Sequence, residues 1–531
     1  MLDQISSSPI GLGLLGVGAL AALYLLHILL DVPLPKGVDR IREPPGKTSF
    51  SWKTRLAYVT DCQQLFHEAY HEYSKKGKAV IIPGVGARSE LILPVSSMRW
   101  ALRQPEHVLN VGEAFAEVDQ IKHSLGHTRF VIDSWPGLLI RTELNSALEN
   151  IVAAMNDELK VAFDAHFGTD DKEWKEVPLL ETIRVIVAQA ASRFTVGLPL
   201  CRNPKYLKDA IAANESLVLT AGLVGAAPPI LRPVIGPLVG LKTELIQRRI
   251  KKIFESTYRA RLETLKYAKD DPEHKEPGDH LQMMVRFAQR ERPQYLYDLD
   301  IMARYLTTTN FGAMHQTGIQ VTNMLLNILG SDAEYNTIAV LRDEATRIMG
   351  SEDGNGRWTK AKLSKMVQAD SVARETLRCH SFGGRAVFRK VMVDGLETDT
   401  GLKLPQGCLF SFLSQPAHTD EATYEDPDQY DPFRFSRLRE KASNGGDPSE
   451  IGTLSFVTTS PDHLPFGHGK HACPGRFLID FELKMIISYV LSNYDVKFPE
   501  EYNHQRPPNK WLTEAILPPD GVKVLVRRRH P

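Results

Sequence analysis

Cysteine and net charge are two things that this sequence has little of. Its 531 residues include five cysteines, which are odd in number and widely scattered, at positions 62, 201, 379, 408 and 473. Such spacing does not fit a disulfide framework or a zinc module, and it is typical of thiols in a reducing compartment. Lys plus Arg and Asp plus Glu both number 64, so no overall field steers the protein toward nucleic acid. We therefore expect no nucleic-acid partner, and any electrostatic partner site must be local.

Long uninterrupted apolar runs are also scarce, and the one of note covers residues 10–30. A helix of that length spans roughly the 30 Å core of a bilayer. A cleaved secretory signal is the alternative, but no Lys or Arg precedes the run and no small-x-small site precedes Asp31. We predict a retained transmembrane anchor over 1–30. Basic residues concentrated in 36–47 place the rest of the chain in the cytosol, as a single-pass protein of the endoplasmic reticulum membrane.

A proline-rich stretch follows the apolar run. Residues 31–47 contain four prolines, which cannot continue a helix, so we predict a stiff, extended hinge. From residue 48 to residue 531 the sequence has no internal repeat, no low-complexity tract and no second linker of this kind. With 43% hydrophobic residues, the chain can bury a large core. We expect one large domain over 48–531.

Helical periodicity dominates the middle of the chain, so we predict a mainly α fold with minor β-sheet. Helices are expected over 138–167, 181–194, 246–269, 299–329 and 332–349, and strands over 79–83, 385–393 and 522–526. The apolar segment 221–239 contains four prolines, which exclude a regular spanning helix. It is either ordinary core or a mobile hydrophobic loop that touches the membrane and admits a lipophilic substrate.

The segment from Phe466 to Arg476, Phe-Gly-His-Gly-Lys-His-Ala-Cys-Pro-Gly-Arg, carries the strongest chemical signal. Its glycines let the backbone pass close to a bulky flat ligand, and Cys473 lies where a helical run begins. The helix dipole and free backbone N–H groups favour a thiolate, and Pro474 suits the first helical turn. A thiolate that ligates a haem iron favours O–O cleavage. His471 can donate a hydrogen bond to a haem propionate.

This segment resembles the haem-binding pattern of the cytochrome P450 family, Phe-Gly-x-Gly-x-His/Arg-x-Cys-x-Gly. The resemblance implies a P450 fold that holds haem b between a long distal helix and the helix after Cys473. In it Cys473 is the axial thiolate ligand of the iron, and Phe466 and His471 belong to the cofactor site. The resemblance covers nearly the whole chain, and histidine at 471 and at 315 is similar to fungal members devoted to secondary metabolites.

A second match is Glu375-Thr376-Leu377-Arg378, in which the carboxylate and the guanidinium lie three residues apart and share one helix face. Taken alone, such a pair is usually a surface salt bridge of little energetic value. Its place roughly a hundred residues before Cys473 resembles the buried pair of the family, with Arg434 as the second arginine. The resemblance therefore predicts a buried network that holds the haem-side core, with a structural rather than a catalytic role.

The resemblance also identifies the helix around His315 as the one that crosses the distal face of the haem. Gly312 and Ala313 would open room for dioxygen there. The family pattern has an acid followed by a threonine, whereas here Gln316 follows His315, which leaves the route of proton delivery open. His315 can titrate near neutral pH, and Gln316 and Thr317 can both donate and accept hydrogen bonds. We predict that at least one of these three side chains serves oxygen activation; helix packing or substrate contact is the alternative.

The resemblance implies a monooxygenase that inserts one oxygen atom of dioxygen into a small lipophilic substrate, with electrons from NADPH delivered by a partner reductase. Lys470, Arg476 and Lys484 flank the expected proximal side and are candidates for docking an acidic reductase surface, although exposed basic residues usually only solvate a face. A haem-thiolate isomerase or dehydratase that needs no reductase is one alternative. A non-catalytic haem or electron-transfer protein is the other, and it would not need a large apolar pocket.

Overall fold

The computed structural model describes residues 32–529 apart from 87, 268–270, 272, 275, 351–356 and 445–451, and before residue 32 it describes only residues 18 and 22. The predicted anchor over 1–30 therefore lies outside the described residues, except for those two. Among the helices that are described, none combines the length and the hydropathy that a membrane crossing requires.

Helices make up most of the described chain, as the periodicity predicts. The α-helices are α1 (Trp52–Thr60), α2 (Cys62–Glu72), α3 (Met98–Arg103), α4 (Val111–Val118), α5 (Ile121–Ser124), α6 (Arg129–Ile132), α7 (Trp135–Phe167), α8 (Leu179–Thr195), α9 (Pro204–Ala226), α10 (Arg232–Thr264), α11 (His280–Glu291), α12 (Pro293–Leu296), α13 (Leu299–Asn310), α14 (Gln316–Tyr335), α15 (Thr337–Gly350), α16 (Lys360–Ser364), α17 (Val367–His380), α18 (Gln415–His418), α19 (Arg434–Ser443) and α20 (Arg476–Asn493). The predicted helices correspond to α7, α8, α10, α13 with α14, and α15.

The sheets are small, and the three predicted strands are present. The strands are β1 (Val80–Pro83), β2 (Ser89–Ile92), β3 (Leu109–Asn110), β4 (Lys175–Pro178), β5 (Arg385–Val391), β6 (Leu396–Glu397), β7 (Lys403–Leu404), β8 (Leu409–Leu413), β9 (Tyr494–Lys497), β10 (Lys510–Leu512), β11 (Ala515–Leu517) and β12 (Lys523–Arg528). The largest sheet has the order β1-β2-β8-β5-β3, in which only β2 and β8 run parallel. A second sheet has the order β4-β12-β9, and β10–β11 and β6–β7 pair separately.

The long helix predicted over 299–329 is present, but a π-helical turn over Phe311–His315 interrupts it between α13 and α14. The hydroxyls of Thr307, Thr308 and Thr309, just before the turn, each donate back to a carbonyl oxygen of the preceding helical turn. Such bonds compete with the backbone ladder and bend helices. Single π-turns inside α-helices are frequently found at functional sites.

The proline-containing segment 221–239 is helical at both ends and is not an extended loop. It comprises the end of α9, a short turn over Pro229–Leu231 and the beginning of α10. Pro233 lies in the first turn of α10, where a missing N–H costs nothing, whereas Pro237 lies inside the helix. The prolines thus set where one helix ends and the next begins.

The core beside the cysteine loop packs around α17 and α20. α20 packs against α7, α15 and α17, and α14 packs against α8 and α17. Their apolar faces meet in one cluster that includes the buried side chains of Met324, Val372 and Ile486. This cluster holds α17 and α20, which lie beside the cysteine loop, and also α14, which continues the long helix around His315.

Candidate functional site

The cysteine loop is shaped by its own backbone hydrogen bonds. The Cys473 N–H donates to the Phe466 carbonyl oxygen at 2.9 Å, and the Arg476 guanidinium donates to the Cys473 carbonyl oxygen at 2.7 Å. Gly467 and Gly469 have φ of 68° and 73°, a region that favours glycine. α20 begins at Arg476, so Pro474 lies before the helix and not in its first turn as predicted. The loop therefore presents one sulfur ahead of a helix N-terminus.

The thiol of Cys473 is desolvated, and this outweighs the effect of the helix terminus. Burial raises the pKa of Cys473, while backbone N–H groups of Gly475 and Arg476 and the charge of Arg476 oppose that rise. The predicted acidifying effect of the backbone N–H groups at the helix end is therefore present, but burial outweighs it in the protein without a bound cation. A metal cation brings the missing positive charge, since a coordinating thiol is deprotonated outright. The donor set fits a metal ligand better than a free nucleophile.

Basic side chains from three elements converge beside this loop. His471 belongs to the loop, Arg389 to β5 and Arg141 to α7, and both arginines help to lower the pKa of His471, which burial chiefly brings to about 4. Arg389 is buried, and burial lowers its pKa to about 10. Glu106 approaches His471 at 3.6 Å but is largely exposed. The cluster is therefore suited to an anion that would compensate a buried guanidinium.

The network predicted around Glu375 is present and buried. Arg378 donates to both carboxylate oxygens of Glu375 at 2.8 and 2.7 Å, and the Nε of Arg434 donates to Oε1 at 3.1 Å. Glu375 and Arg378 are fully buried. Arg378 also donates to the carbonyl oxygens of His418 and Pro427, so the pair joins α17 to the chain before α19.

The three distal candidates lie together, where the π-turn passes into α14. His315 stacks on Phe311 at 5.6 Å between ring centroids and meets the edge of Phe382, which follows α17, at 5.7 Å. Burial lowers the pKa of His315 to about 4, so the prediction that it titrates near neutral pH is wrong. Gln316 is exposed, whereas Thr317 is buried and its hydroxyl has no hydrogen-bond partner among the described residues.

The π-turn between α13 and α14 has open space beside Gly312. A Cβ added at Gly312 would meet no atom within 4 Å, and Gly312 is exposed. Gly312 and Gln316 lie one helical turn apart, so they share a face of this helix. An exposed face next to the Phe382 edge can admit a small molecule.

The family model for cytochrome P450 matches residues 138–526 of this chain. This chain belongs to the cytochrome P450 monooxygenases. The P450 is 49% identical over 510 residues to "Cytochrome P450 monooxygenase pbrC" of Penicillium brasilianum, with 96% of this chain and 95% of the relative covered. It is 48% identical to astC of Aspergillus terreus and 43% identical to tenB of Beauveria bassiana, with 95% and 96% of those chains covered.

The solved structure "Retinoic acid bound cyanobacterial CYP120A1" has the same fold. Its TM-score is 0.62 at 16% identity, with 94% of the P450 and 100% of that chain covered. At this identity the likeness concerns the fold alone. The predicted P450 fold, mainly α with minor β, is therefore confirmed.

Membership of the family implies a haem with a cysteine thiolate ligand, and the residues present fit that group. Cys473 would supply the sulfur. Gly469 has a positive φ, and a Cβ there would lie 3.2 Å from the Leu102 side chain, so the loop has no room for a larger residue. The buried guanidinium of Arg389 and the partly buried ring N–H of His471 would hold the two propionate carboxylates of haem b. Phe466 packs edge-on against Phe456 at 5.2 Å and stiffens the start of the loop.

Lys484, one of the three basic residues predicted to meet a reductase, lies in the interior and not on the surface. Lys484 is buried and its Nζ forms ion pairs with Asp370 at 2.9 Å and with Asp480 at 2.7 Å, so it is not part of a docking surface. The position of Lys484 on the face of α20 that meets α17 explains this. Lys470 is exposed and Arg476 is partly exposed.

Sequence reasoning missed two groups of residues. Arg389 and Arg141 join the cluster of basic side chains, and nothing in the sequence marked them, because β5 and α7 are far apart along the chain. The other group is a row of amide side chains on α14, and here a signal existed. Gln316, Gln320 and Asn323, followed by Asn327, recur at intervals of four, three and four residues, which places them on one helix face.

Proposed function

We propose that this P450 inserts one oxygen atom from dioxygen into a small lipophilic substrate, with electrons from NADPH delivered by a partner reductase, in fungal secondary-metabolite biosynthesis. The observation that carries the proposal is the desolvated sulfur of Cys473 in a loop beside His471 and the buried cation Arg389. The fungal P450 monooxygenases to which the chain is similar support the reaction class and the lineage.

Each part of the site has a task in this reaction. When bound, haem with a thiolate ligand supplies the oxygen-activating chemistry, because the sulfur pushes electron density that favours O–O cleavage. Cys473 holds the iron, and Arg389 with His471 would orient the cofactor through its propionates. The exposed face at Gly312 and Gln316 leaves room for dioxygen, and the rings of Phe382 and His315 offer apolar contact to a lipophilic substrate.

The reductase is proposed to dock near the cysteine loop, at the surface that carries Lys470 and Arg476. Lys470 is exposed and Arg476 donates to the Cys473 and Val457 carbonyl oxygens, so a docked partner would lie close to the ligand loop. Charge complementarity of this kind acts mainly on association rate and specificity.

The membrane is proposed as the location, with the body in the cytosol at the endoplasmic reticulum. The predicted anchor over 1–30 is one support. The other is a patch of exposed apolar side chains where α9 ends and α10 begins, which includes Leu223, Val234, Leu238 and Leu241, exposed by 51, 64, 70 and 53%. A contiguous apolar patch of this kind marks contact with a membrane or a partner.

The first test is the absorption spectrum of the dithionite-reduced protein with carbon monoxide, for wild type and Cys473→Ser. We expect a red-shifted thiolate-type Soret band in wild type that is lost in the variant, because serine offers no thiolate. Cys408→Ser, which removes a buried thiol elsewhere in the chain, should keep the band. A histidine-like band in folded wild type would contradict the proposal.

A second candidate function remains, a haem-thiolate isomerase or dehydratase that acts without a reductase. The observation that favours it is the His315-Gln316 pair, which stands where the family pattern has an acid and a threonine. Turnover that depends on NADPH and reductase supports the monooxygenase proposal, whereas product formation without both supports the isomerase. A haem protein that binds no lipophilic ligand would instead support a non-catalytic role.

A further inference from the structure

The distal helix carries a row of amide side chains that leads away from the distal face. Gln316, Gln320, Asn323 and Asn327 share one face of α14, and from first to last they cover about 16 Å at 1.5 Å per residue. Arg184 of α8 lies on the opposite side, since a Cβ at Gly318 would be 3.4 Å from its side chain. The amide row therefore faces away from α8.

The interior members of the row are buried with hydrogen-bonding capacity left over. Gln320, Asn323 and Asn327 are 6, 0 and 1% exposed. The Gln320 Nε2, the Asn323 Nδ2 and the Asn327 Oδ1 atoms have no hydrogen-bond partner among the described residues. Buried polar groups without a partner are costly, and ordered water is the usual way in which proteins satisfy them. Three such atoms in one row form a polar path rather than an isolated defect.

The row has an exposed residue at or beside each end. Gln316 is exposed, on the same face as Gly312. At the other end the Asn327 Nδ2 donates to the Thr376 hydroxyl at 3.2 Å, and the Thr376 hydroxyl lies 3.2 Å from the Tyr430 hydroxyl. The Tyr430 hydroxyl is buried and also donates to the Val372 carbonyl oxygen at 3.3 Å, while the residue as a whole is partly exposed and its neighbour Gln429 is exposed.

An arginine covers the middle of the row. The Arg506 Nη2 donates to the Asn323 Oδ1 at 3.0 Å and to the Asn509 Oδ1 at 2.7 Å. The Arg506 Nε and the Asn509 Nδ2 also have no partner among the described residues. Two more donors thus point to the same polar path, and each could bind a water that bridges to the amides.

We propose that this amide row holds a file of ordered water that connects the distal cavity at Gln316 with the surface at Tyr430, and that the file supplies the protons used in oxygen activation. The inference rests on the proposed monooxygenase function. The reaction RH + O₂ + 2e⁻ + 2H⁺ → ROH + H₂O consumes two protons, which must come from solvent. In this P450 the distal pair of His315 and Gln316 includes no carboxylic acid to deliver them.

The transfer leaves no residue charged. Each water or hydroxyl in the file accepts one proton from its outer neighbour and passes one to its inner neighbour, so bulk water supplies the net proton. The amides do not themselves titrate; they orient the waters. The Thr376 and Tyr430 hydroxyls can both donate and accept, which suits the entrance of the file.

A high-resolution structure of the haem-loaded enzyme tests the file without reference to activity. We expect ordered waters bonded to Gln320 and Asn323 in wild type, and we expect Gln320→Met to lose them, because methionine keeps the volume and removes both polar atoms. Thr322→Val is the control, since this buried hydroxyl donates to Gly318 within the helix on another face. A dry amide row in wild type, in a map that resolves other buried waters, would overturn the proposal.

Turnover gives the second test. With NADPH and reductase, Gln320→Met should form severalfold less product per NADPH and show a larger solvent isotope effect, whereas Thr322→Val should match wild type. With hydrogen peroxide, RH + H₂O₂ → ROH + H₂O needs no outside electron or proton, so Gln320→Met should match wild type. Unchanged coupling in Gln320→Met would refute the file. If wild type makes no product with either oxidant, the monooxygenase proposal fails, and the crystallographic test still decides on the water.

Discussion

At the scale of single residues, α20 carries two buried carboxyl groups close together, of which one has a cationic partner and the other has an unpaired oxygen. Asp480 lies 2.7 Å from Lys484. Glu482, two residues later, is also buried, and its Oε1 has no hydrogen-bond partner among the described residues. Burial raises the pKa of Glu482 to about 8, so this side chain is protonated at neutral pH.

The free energy of unfolding should therefore depend on the protonation of Glu482. The unfolded chain releases this proton near pH 4.5, whereas the folded chain keeps it up to about pH 8. The folded state binds more protons in that window, so the contribution to stability is full below pH 4.5 and declines as pH rises to 8. Between pH 6 and pH 8.5, wild type should lose on the order of a few degrees of Tm more than Glu482→Gln does.

Calorimetry of the holoprotein at both pH values measures this difference. Glu255→Gln is the control, because Glu255 lies on the surface of α10 and pairs with the exposed Arg259. The control should keep the wild-type pH dependence. An identical pH dependence in wild type and Glu482→Gln would contradict the prediction.

At the scale of elements, α17 concentrates the buried charges that tie the cysteine loop to the core. Arg374 donates to the carbonyl oxygens of Ser455 and Thr458, and Asp370 accepts from the Phe456 N–H at 3.0 Å. Together with the Glu375–Arg378 pair, these bonds make one helix the attachment point for the chain segments before Cys473. A helix of this kind cannot move without disturbing the ligand loop.

Loss of one partner in the α17 network should be strongly destabilising. Arg378→Leu would leave the Glu375 carboxylate buried and only partly compensated by Arg434, at a cost of about 3–5 kcal/mol. Arg259→Leu removes the exposed ion pair between Arg259 and Glu255, which lie one helical turn apart, and should cost less than about 1 kcal/mol of unfolding free energy. Denaturant unfolding of both variants gives the two values. Equal costs would mean that burial of the network contributes nothing.

At the scale of the whole molecule, the exposed apolar patch of α9 and α10 would determine how the protein is oriented relative to the bilayer. If this patch and the anchor both meet the bilayer, the body is held at two places and the distal helix keeps a set distance from the lipid. A lipophilic substrate would then pass from membrane to site without crossing water.

Spin labels in reconstituted vesicles test this orientation. For a nitroxide on Leu238→Cys, in the patch, the spin relaxation rate should increase more with oxygen, which concentrates in lipid, than with a water-soluble nickel chelate. A nitroxide on Leu438→Cys of α19 should show the opposite preference, although Leu438 is also an exposed leucine, at 44%. Equal preference at both positions would rule out contact of the patch with the bilayer.

The sequence by itself determined the features that depend on neighbours along the chain. The main helices follow from periodicity, the Glu375–Arg378 pair from a spacing of three, and the ligand loop from a motif whose glycines and cysteine stand within a few residues. The sequence did not give the beginning of α10, which starts at Arg232 and not at the predicted residue 246, because proline both starts and interrupts helices.

The tertiary structure alone decided which side chains are buried and which distant residues meet. Lys484 has the sequence character of a surface residue, yet it pairs with Asp370, 114 positions away. Asn327 bonds to Thr376 across 49 residues and Thr376 meets Tyr430 across 54. Desolvation, which sets the pKa of Cys473 and His315, likewise depends on everything packed around a group. Local patterns carry no record of that packing, so the sequence could mark Cys473 as the candidate ligand, and only the fold showed that the amide side chains of α14 are buried with atoms left unpaired among the described residues.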